Sequence, residues 1–484
     1  MTHPPSYPSG EQLAPPPGCP AHAAGQAPPP DPTAFPAPGY VPLFGEDFSA
    51  DPQPTYRHLR SMGPIAPVEI APRVYGLITT TYAAALHLLR STPGQFAKSP
   101  RYWRALANGE VPRDSPALMM MMDRNNALWK DGPAHVRLRS AITDGLARID
   151  PHDLRAVAGR SADTLIDAIA PVGSADLVGD YAARLPMEIV LQLFGCPPQL
   201  GRRIVSSLAK LFDTAQDAAA ANAELERACL ELTHLKRTTP ESDMTSWLLA
   251  HPAELTDAEM IQQILLVIGA STEPCTNLIG NAVKLMLTDD RFAGSVLDGA
   301  QSVSRALDYV LWTDPPMANY SPLYAREDLV YQGLFIPAGV PILVSFAAAN
   351  TDPALRLDGT HLAGNEAHLA FSAGVHRCPA PDIARVIAEV AVERVLDRLP
   401  GLDLATPVHQ LGRRPGTFHS GWSTLPVTFP SVAMSGDSWT PSPPPPAPTV
   451  STPPARTSTP KPGSSAPRAP RRRWNFPVQW WRGR

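Results

Sequence analysis

The sequence predicts a mainly α fold with a small β portion, carried by one large central domain between two proline-rich arms. Three observations lead there. Apolar residues recur at three- and four-residue spacing over 136–149, 153–170, 177–194 and 258–288. Strand-like runs are few and short. Of the 58 prolines, 13 fall in residues 1–40 and 13 in 436–484, a density that cannot build a packed core. The expected organisation is therefore a disordered arm over 1–40, a folded domain over 41–435 and a disordered tail over 436–484.

Each element of the domain has its own signal. Residues 258–288 contain the largely apolar stretch IQQILLVIGA, and a helix apolar on all faces is a buried central helix. The strand candidates are 74–79 (VYGLIT), 329–336 (LVYQGLFI) and 340–346 (VPILVSF). Gly333 and the turn Ile336-Pro337-Ala338-Gly339 predict a hairpin between the last two.

Charge and cysteine usage exclude several classes. The net charge of the 484-residue chain is −4, yet the tail 436–484 carries eight basic residues and one acidic residue. The central domain is therefore acidic, which argues against a nucleic-acid-binding domain. Cys19, Cys196, Cys229, Cys275 and Cys378 have no paired spacing, so no disulfide framework is expected and a reducing cytoplasm fits best. The N-terminus has no signal pattern, and no run of 18 apolar residues spans a membrane.

The most informative segment runs from His368 to Arg385, HLAFSAGVHRCPAPDIAR. A glycine-containing loop presents one cysteine, and an amphipathic helix follows at once, with Ile383, Ile387, Val390 and Leu396 near helical spacing. A thiolate at a helix N-terminus is stabilised by the dipole and by free backbone N–H groups. A thiolate on haem iron favours O–O cleavage.

This segment resembles the haem-binding signature of the cytochromes P-450, Phe-Gly-x-Gly-x-His-x-Cys-x-Gly-x-x-Leu-Ala-Arg. Phe371, Gly374, His376, Cys378, Ala384 and Arg385 match without a gap. Ser372 and Ala380 stand where glycines are usual, and Ile383 where leucine is usual. Asp131-Gly-Pro-Ala-His-Val-Arg-Leu-Arg139 is similar to the family's helix C entry, and Ile336 to Asn350 with Asp352-Pro353 is similar to the stretch after its helix K. The resemblance implies the cytochrome P-450 fold and haem b (iron protoporphyrin IX), with Cys378 as axial iron ligand. It implies that His135 and Arg139, four apart on one helical face, bind the propionates together with His376.

Three departures qualify the resemblance. The family's central helix carries an acid followed by an oxygen-activating threonine. Aligned on Asn277-Leu-Ile-Gly-Asn281, the acid is Glu273 and the threonine position is Pro274. Proline has no hydroxyl, and it removes an N–H and kinks a helix. Thr272, two positions away, points about 200° round the helix. The helix K Glu-x-x-Arg pair is replaced by Tyr309 and Trp312, which predicts apolar packing in place of an ion-pair triad. The triad's downstream arginine has no match in 356–366, and Leu323 stands where a further propionate-binding arginine is expected. The tryptophan in helix K resembles an atypical actinomycete subgroup encoded in operons beside a sensor-kinase-like protein and a small GTPase.

Two readings follow. One is a haem-thiolate monooxygenase acting on a small lipophilic substrate with dioxygen. Electrons would come from a ferredoxin and ferredoxin reductase, docking near Arg377 and Arg385, and Glu273 would relay protons. The other is a catalytically degenerate haem-binding component of a kinase or GTPase signalling complex. Residues 468–484 hold six arginines and four large aromatics without an acid, a composition suited to an anionic membrane surface or an acidic protein. The expected location is cytoplasmic, peripheral at the membrane through that tail. The loops near 95–125 and 200–255, which include Met119 to Met122, are expected to line the substrate pocket.

Overall fold

The computed structural model describes residues 39–213, 218–293, 300–358 and 361–431. Both proline-rich arms, including the basic aromatic tail, lie outside the described residues.

A layer of packed helices forms the larger part. Its framework is α1 (Tyr82–Arg90), α2 (Gly132–Leu146), α3 (Pro151–Ile169), α4 (Arg184–Leu193), α5 (Asp257–Thr288), α6 (Ala300–Thr313) and α7 (Pro381–Arg398). Leu165 and Ile166 of α3, Ile189 of α4, Ile279 and Val283 of α5, Leu307 of α6 and Val392 of α7 meet in one buried core. Helix α5 is the axis that the apolar run predicts. Thr256 caps it, in a reciprocal arrangement with Glu259. It runs unbroken through Pro274.

The strands are β1 (Val41–Pro42), β2 (Ile65–Ala71), β3 (Val74–Thr79), β4 (Phe96–Ala97), β5 (Ser174–Asp176), β6 (Asn319–Ala325), β7 (Leu329–Tyr331), β8 (Leu334–Ile336), β9 (Pro341–Ser345), β10 (Asp403–Leu404) and β11 (Pro426–Thr428). The main sheet has the order β1-β2-β3-β9-β6-β4, and β10-β11-β5 form a second, small sheet. The expected hairpin is corrected here. Residues 329–336 fold back on themselves as β7–β8, and β9 joins the main sheet between β3 and β6. Gln332 and Gly333 both have positive φ, 48° and 85°, the requirement of a two-residue turn that matches strand twist.

The segment from Arg413 to Gly421 ties the two layers together. Arg413 holds Asp314 through two hydrogen bonds of 3.0 and 2.8 Å, a bidentate fit. The Thr417 hydroxyl lies 2.9 Å from the Leu43 carbonyl and 2.6 Å from that of Ile70. Asn281 of α5 donates to the Ser420 carbonyl at 3.1 Å.

Candidate functional site

The loop before α7 is shaped by its glycine. Gly374 has φ of 70°, and a Cβ there would fall 2.3 Å from the Leu89 carbonyl oxygen at the end of α1. Only glycine permits both the left-handed backbone and that close approach. The loop then closes on itself, with the Cys378 N–H donating to the Phe371 carbonyl at 2.9 Å.

Cys378 is partly exposed. The Ala380 N–H donates to its Sγ at 3.5 Å. Burial pushes the thiol up, while the Ala380 N–H and the nearby Arg139 and Arg377 charges oppose that shift. Cys275, one residue beyond Pro274 on α5, is pushed up to about 12 by burial first and by the Cys378 charge second.

The two histidines and Arg139 gather on one wall. The rings of His135 and His376 lie 4.1 Å apart at a tilt of 44°. Both Nε2 atoms are buried and unpartnered. Asp131 accepts from the Lys98 and Ser99 amides at 3.0 and 3.1 Å and stands 3.8 Å from His376, beyond hydrogen-bond range. Burial, reinforced by the His376 and Arg139 charges, lowers His135 to about 4, and burial lowers His376 against the pull of Asp131. Arg139 donates to the Arg377 carbonyl and to Thr143 Oγ1. The sequence-expected trio thus meets beside Cys378, with neutral imidazoles and one guanidinium.

Glu273 accepts from Arg414 and from Asn277 at 3.3 Å. His419 Nδ1, buried and unpartnered, stands 4.0 Å from it. Neither Arg414 nor His419 carries a sequence signal that ties it to Glu273 from 141 and 146 positions away.

The helix K departure resolves differently from the expected apolar pair. Trp312, 2% exposed, donates its indole N–H to the Asn365 carbonyl at 2.8 Å. Tyr309 turns away from it, under the Arg291 guanidinium at 4.9 Å. Asp308, 3% exposed, accepts from the Gly364 N–H at 2.7 Å and pairs with Arg385 of α7. Polar links therefore hold the 364–365 stretch to α6. From Trp312 the contacts run on to His368, then Phe371, each step 5.8 Å between ring centroids, and so to the Cys378 amide. The expected docking role of Arg385 is corrected accordingly: its side chain faces Asp308 and is 18% exposed, whereas Arg377 is exposed. In the expected pocket region Met119 and Met122 are exposed and Met121 is buried.

Comparison with known proteins agrees with this architecture. No protein-family model matches the chain. The steroid C26-monooxygenase of Mycobacterium tuberculosis is 30% identical over 355 residues, covering 69% of this chain and 90% of that protein. The cytochrome P450 monooxygenase PikC of Streptomyces venezuelae is 28% identical over 398 residues, covering 80% and 93%. The structure of testerone-bound CYP154C4 from Streptomyces sp. ATCC 11861 superposes with a TM-score of 0.73 at 27% identity, covering 81% of this chain and 98% of that one. With this fold, a cysteine loop of this shape and relatives of this coverage, the chain belongs to the cytochrome P450 family.

Proposed function

We propose that this protein is a haem-thiolate monooxygenase that oxygenates a small lipophilic molecule. The observation that carries it is the Cys378 loop, a sulfur donor presented beside two guanidinium groups and capped by a backbone N–H. The residues fit haem b. The Nε2 atoms of His135 and His376 are buried and make no hydrogen bond, and buried polar atoms left so are costly unless a ligand satisfies them. In this reading Cys378 would hold the haem iron, and His135, Arg139 and His376 would hold the propionates. When bound, the haem supplies the oxygen-activating redox chemistry. Phe371 and Gly374 fix the loop. Electrons come from a ferredoxin-type partner docking on the face of Arg377.

Glu273 is the proton carrier of this reading. It holds its position through Arg414 and Asn277, and the side of α5 next to it lacks the threonine hydroxyl because Pro274 stands there. The basic aromatic tail 468–484 attaches the protein to anionic membranes, which salt-sensitive liposome co-sedimentation, lost on deleting 436–484, would support.

The testing experiment is the carbon-monoxide difference spectrum of the reduced protein beside Cys378→Ala. A far-red Soret band that disappears in the variant is expected. A blue-shifted band, or no haem in the wild type, overturns the reading in favour of a non-oxygenating signalling component.

A further inference from the structure

Lys98 is a buried cation with too few partners. It is 1% exposed. Its Nζ donates to Ser321 Oγ at 3.0 Å and to the Pro322 carbonyl at 3.3 Å, and it lies 5.4 Å from the ring centroids of both Trp129 and Tyr320. An ammonium has three N–H donors, so one is left over. No carboxylate among the described residues pairs with Nζ. Asp131 is the acid nearest in charge, and its oxygens are taken by backbone amides. Burying such a charge without a counter-ion is unfavourable. Burial accordingly pulls Lys98 down to about 7, with Asp131 opposing.

The surroundings say what would complete it. Asp131, which accepts from the Lys98 and Ser99 amides, stands 3.8 Å from His376, and the His376 ring lies 4.1 Å from that of His135 at a tilt of 44°, both with unpartnered Nε2 atoms. With Arg139 beyond them, this wall sets the cationic groups of Lys98 and Arg139 and two imidazoles against a single carboxylate, a composition that suits carboxylate ligands. The strand register adds a second, independent observation. Strand β4 pairs antiparallel with β6, Phe96 facing Ala325 and Ala97 facing Tyr324. The pairing ends there, and Lys98, the next residue, reaches Ser321 and Pro322, the neighbours of Leu323, where the resemblance leads one to expect an arginine.

We propose that Lys98 is a haem-propionate ligand, its ammonium crossing from the facing strand to supply the charge that Leu323 does not. The inference rests on the haem reading above. In the holoprotein a propionate replaces the missing counter-ion, so the lysine that weakens the empty site strengthens the filled one.

That change of sign is the test. Wild type and Lys98→Met are compared in two measurements: haem loss to excess apomyoglobin, and thermal melting of the haem-free protein. One charge-assisted hydrogen bond to a carboxylate corresponds to roughly ten- to a hundredfold faster haem loss in the variant. Haem-free Lys98→Met is expected to melt higher than haem-free wild type, because the unpaired charge is gone. Haem loss at the wild-type rate overturns the assignment. So does faster loss together with a lower melting point of the haem-free variant, the mark of a packing role. Wild-type protein that takes up no hemin on titration removes the haem reading itself, and this inference with it.

Discussion

Asp308 is the residue whose removal should most disturb the cysteine loop without touching it. Asp308→Ala breaks the pair with Arg385 and strips the Gly364 amide of its acceptor. Losing one partner of a buried ion pair costs about 3–5 kcal/mol. Arg385 keeps some solvent contact, at 18% exposure, a hydrogen bond to Ser304 and a 3.9 Å approach to Glu389, so the lower end, about 3 kcal/mol, applies. The orphaned amide adds about 1 kcal/mol. The expected destabilisation is about 4 kcal/mol, read as the difference in urea unfolding free energy at matched slopes. Removing both charges in Asp308→Ala/Arg385→Met should recover about 2 kcal/mol of this, because no stranded cation remains. The reduced carbon-monoxide band should move to the blue in the single variant and partly return in the double. A single-variant cost below about 1 kcal/mol with an unmoved band would refute the link from α6 to Cys378.

Three further predictions concern the same site. Gly374→Ala combines a φ of 70° with a Cβ 2.3 Å from the Leu89 carbonyl; it should lose most thiolate-ligated haem by the same spectrum while the helical circular dichroism persists. Because Pro274 offers no hydroxyl where the family has its oxygen-activating threonine, turnover is expected to release peroxide; Pro274→Thr should lower the peroxide per electron pair severalfold, and an unchanged yield would clear the proline of that role. His135 and His368 are both lowered by burial from 6.5 to about 4, so the unfolded chain binds their protons first on acidification. Haem-free stability should therefore hold above pH 6.5 and drop as pH falls from 6.5 toward 4, by up to about 1.4 kcal/mol per pH unit for each group. His135→Asn and His368→Asn should each flatten that limb in urea titrations.

Much of the fold could be read in the sequence because its signals are local. The helical periodicity of 153–170 and 258–288 reappears as α3 and α5 with ends shifted by one or two residues. The strand at 74–79 coincides with β3. Sheet pairing was not legible, since β9 finds β3 and β6 across the chain and no turn announces it. The loop from Phe371 to Arg385 was readable because its residues match the family signature without a gap. Asp308, Arg414 and His419 were not, because each gains its meaning from a partner tens to hundreds of positions away. Lys98 was not legible either, because a lysine after Phe96-Ala97 carries no signal that its ammonium is buried.

The Arg413–Gly421 segment imposes an order of assembly on this protein. It is near the end of the described residues, yet Glu273, Asn281, Asp314 and the carbonyls of Leu43 and Ile70 all take hydrogen bonds or ion pairs from it or to it. A nascent chain that stops at Leu411 can pair β1 with β2 and pack α5 on its neighbouring helices, but it lacks the hydrogen bonds that join Glu273, Asn281, Leu43 and Ile70 to this segment. Synthesis proceeds N-terminus first at about 5–20 residues per second, so the acid on α5 acquires its final environment only after almost everything else has emerged. Cofactor capture by ribosome-bound chains truncated before Arg413 should accordingly be poor, even though Cys378 and both histidines are already present.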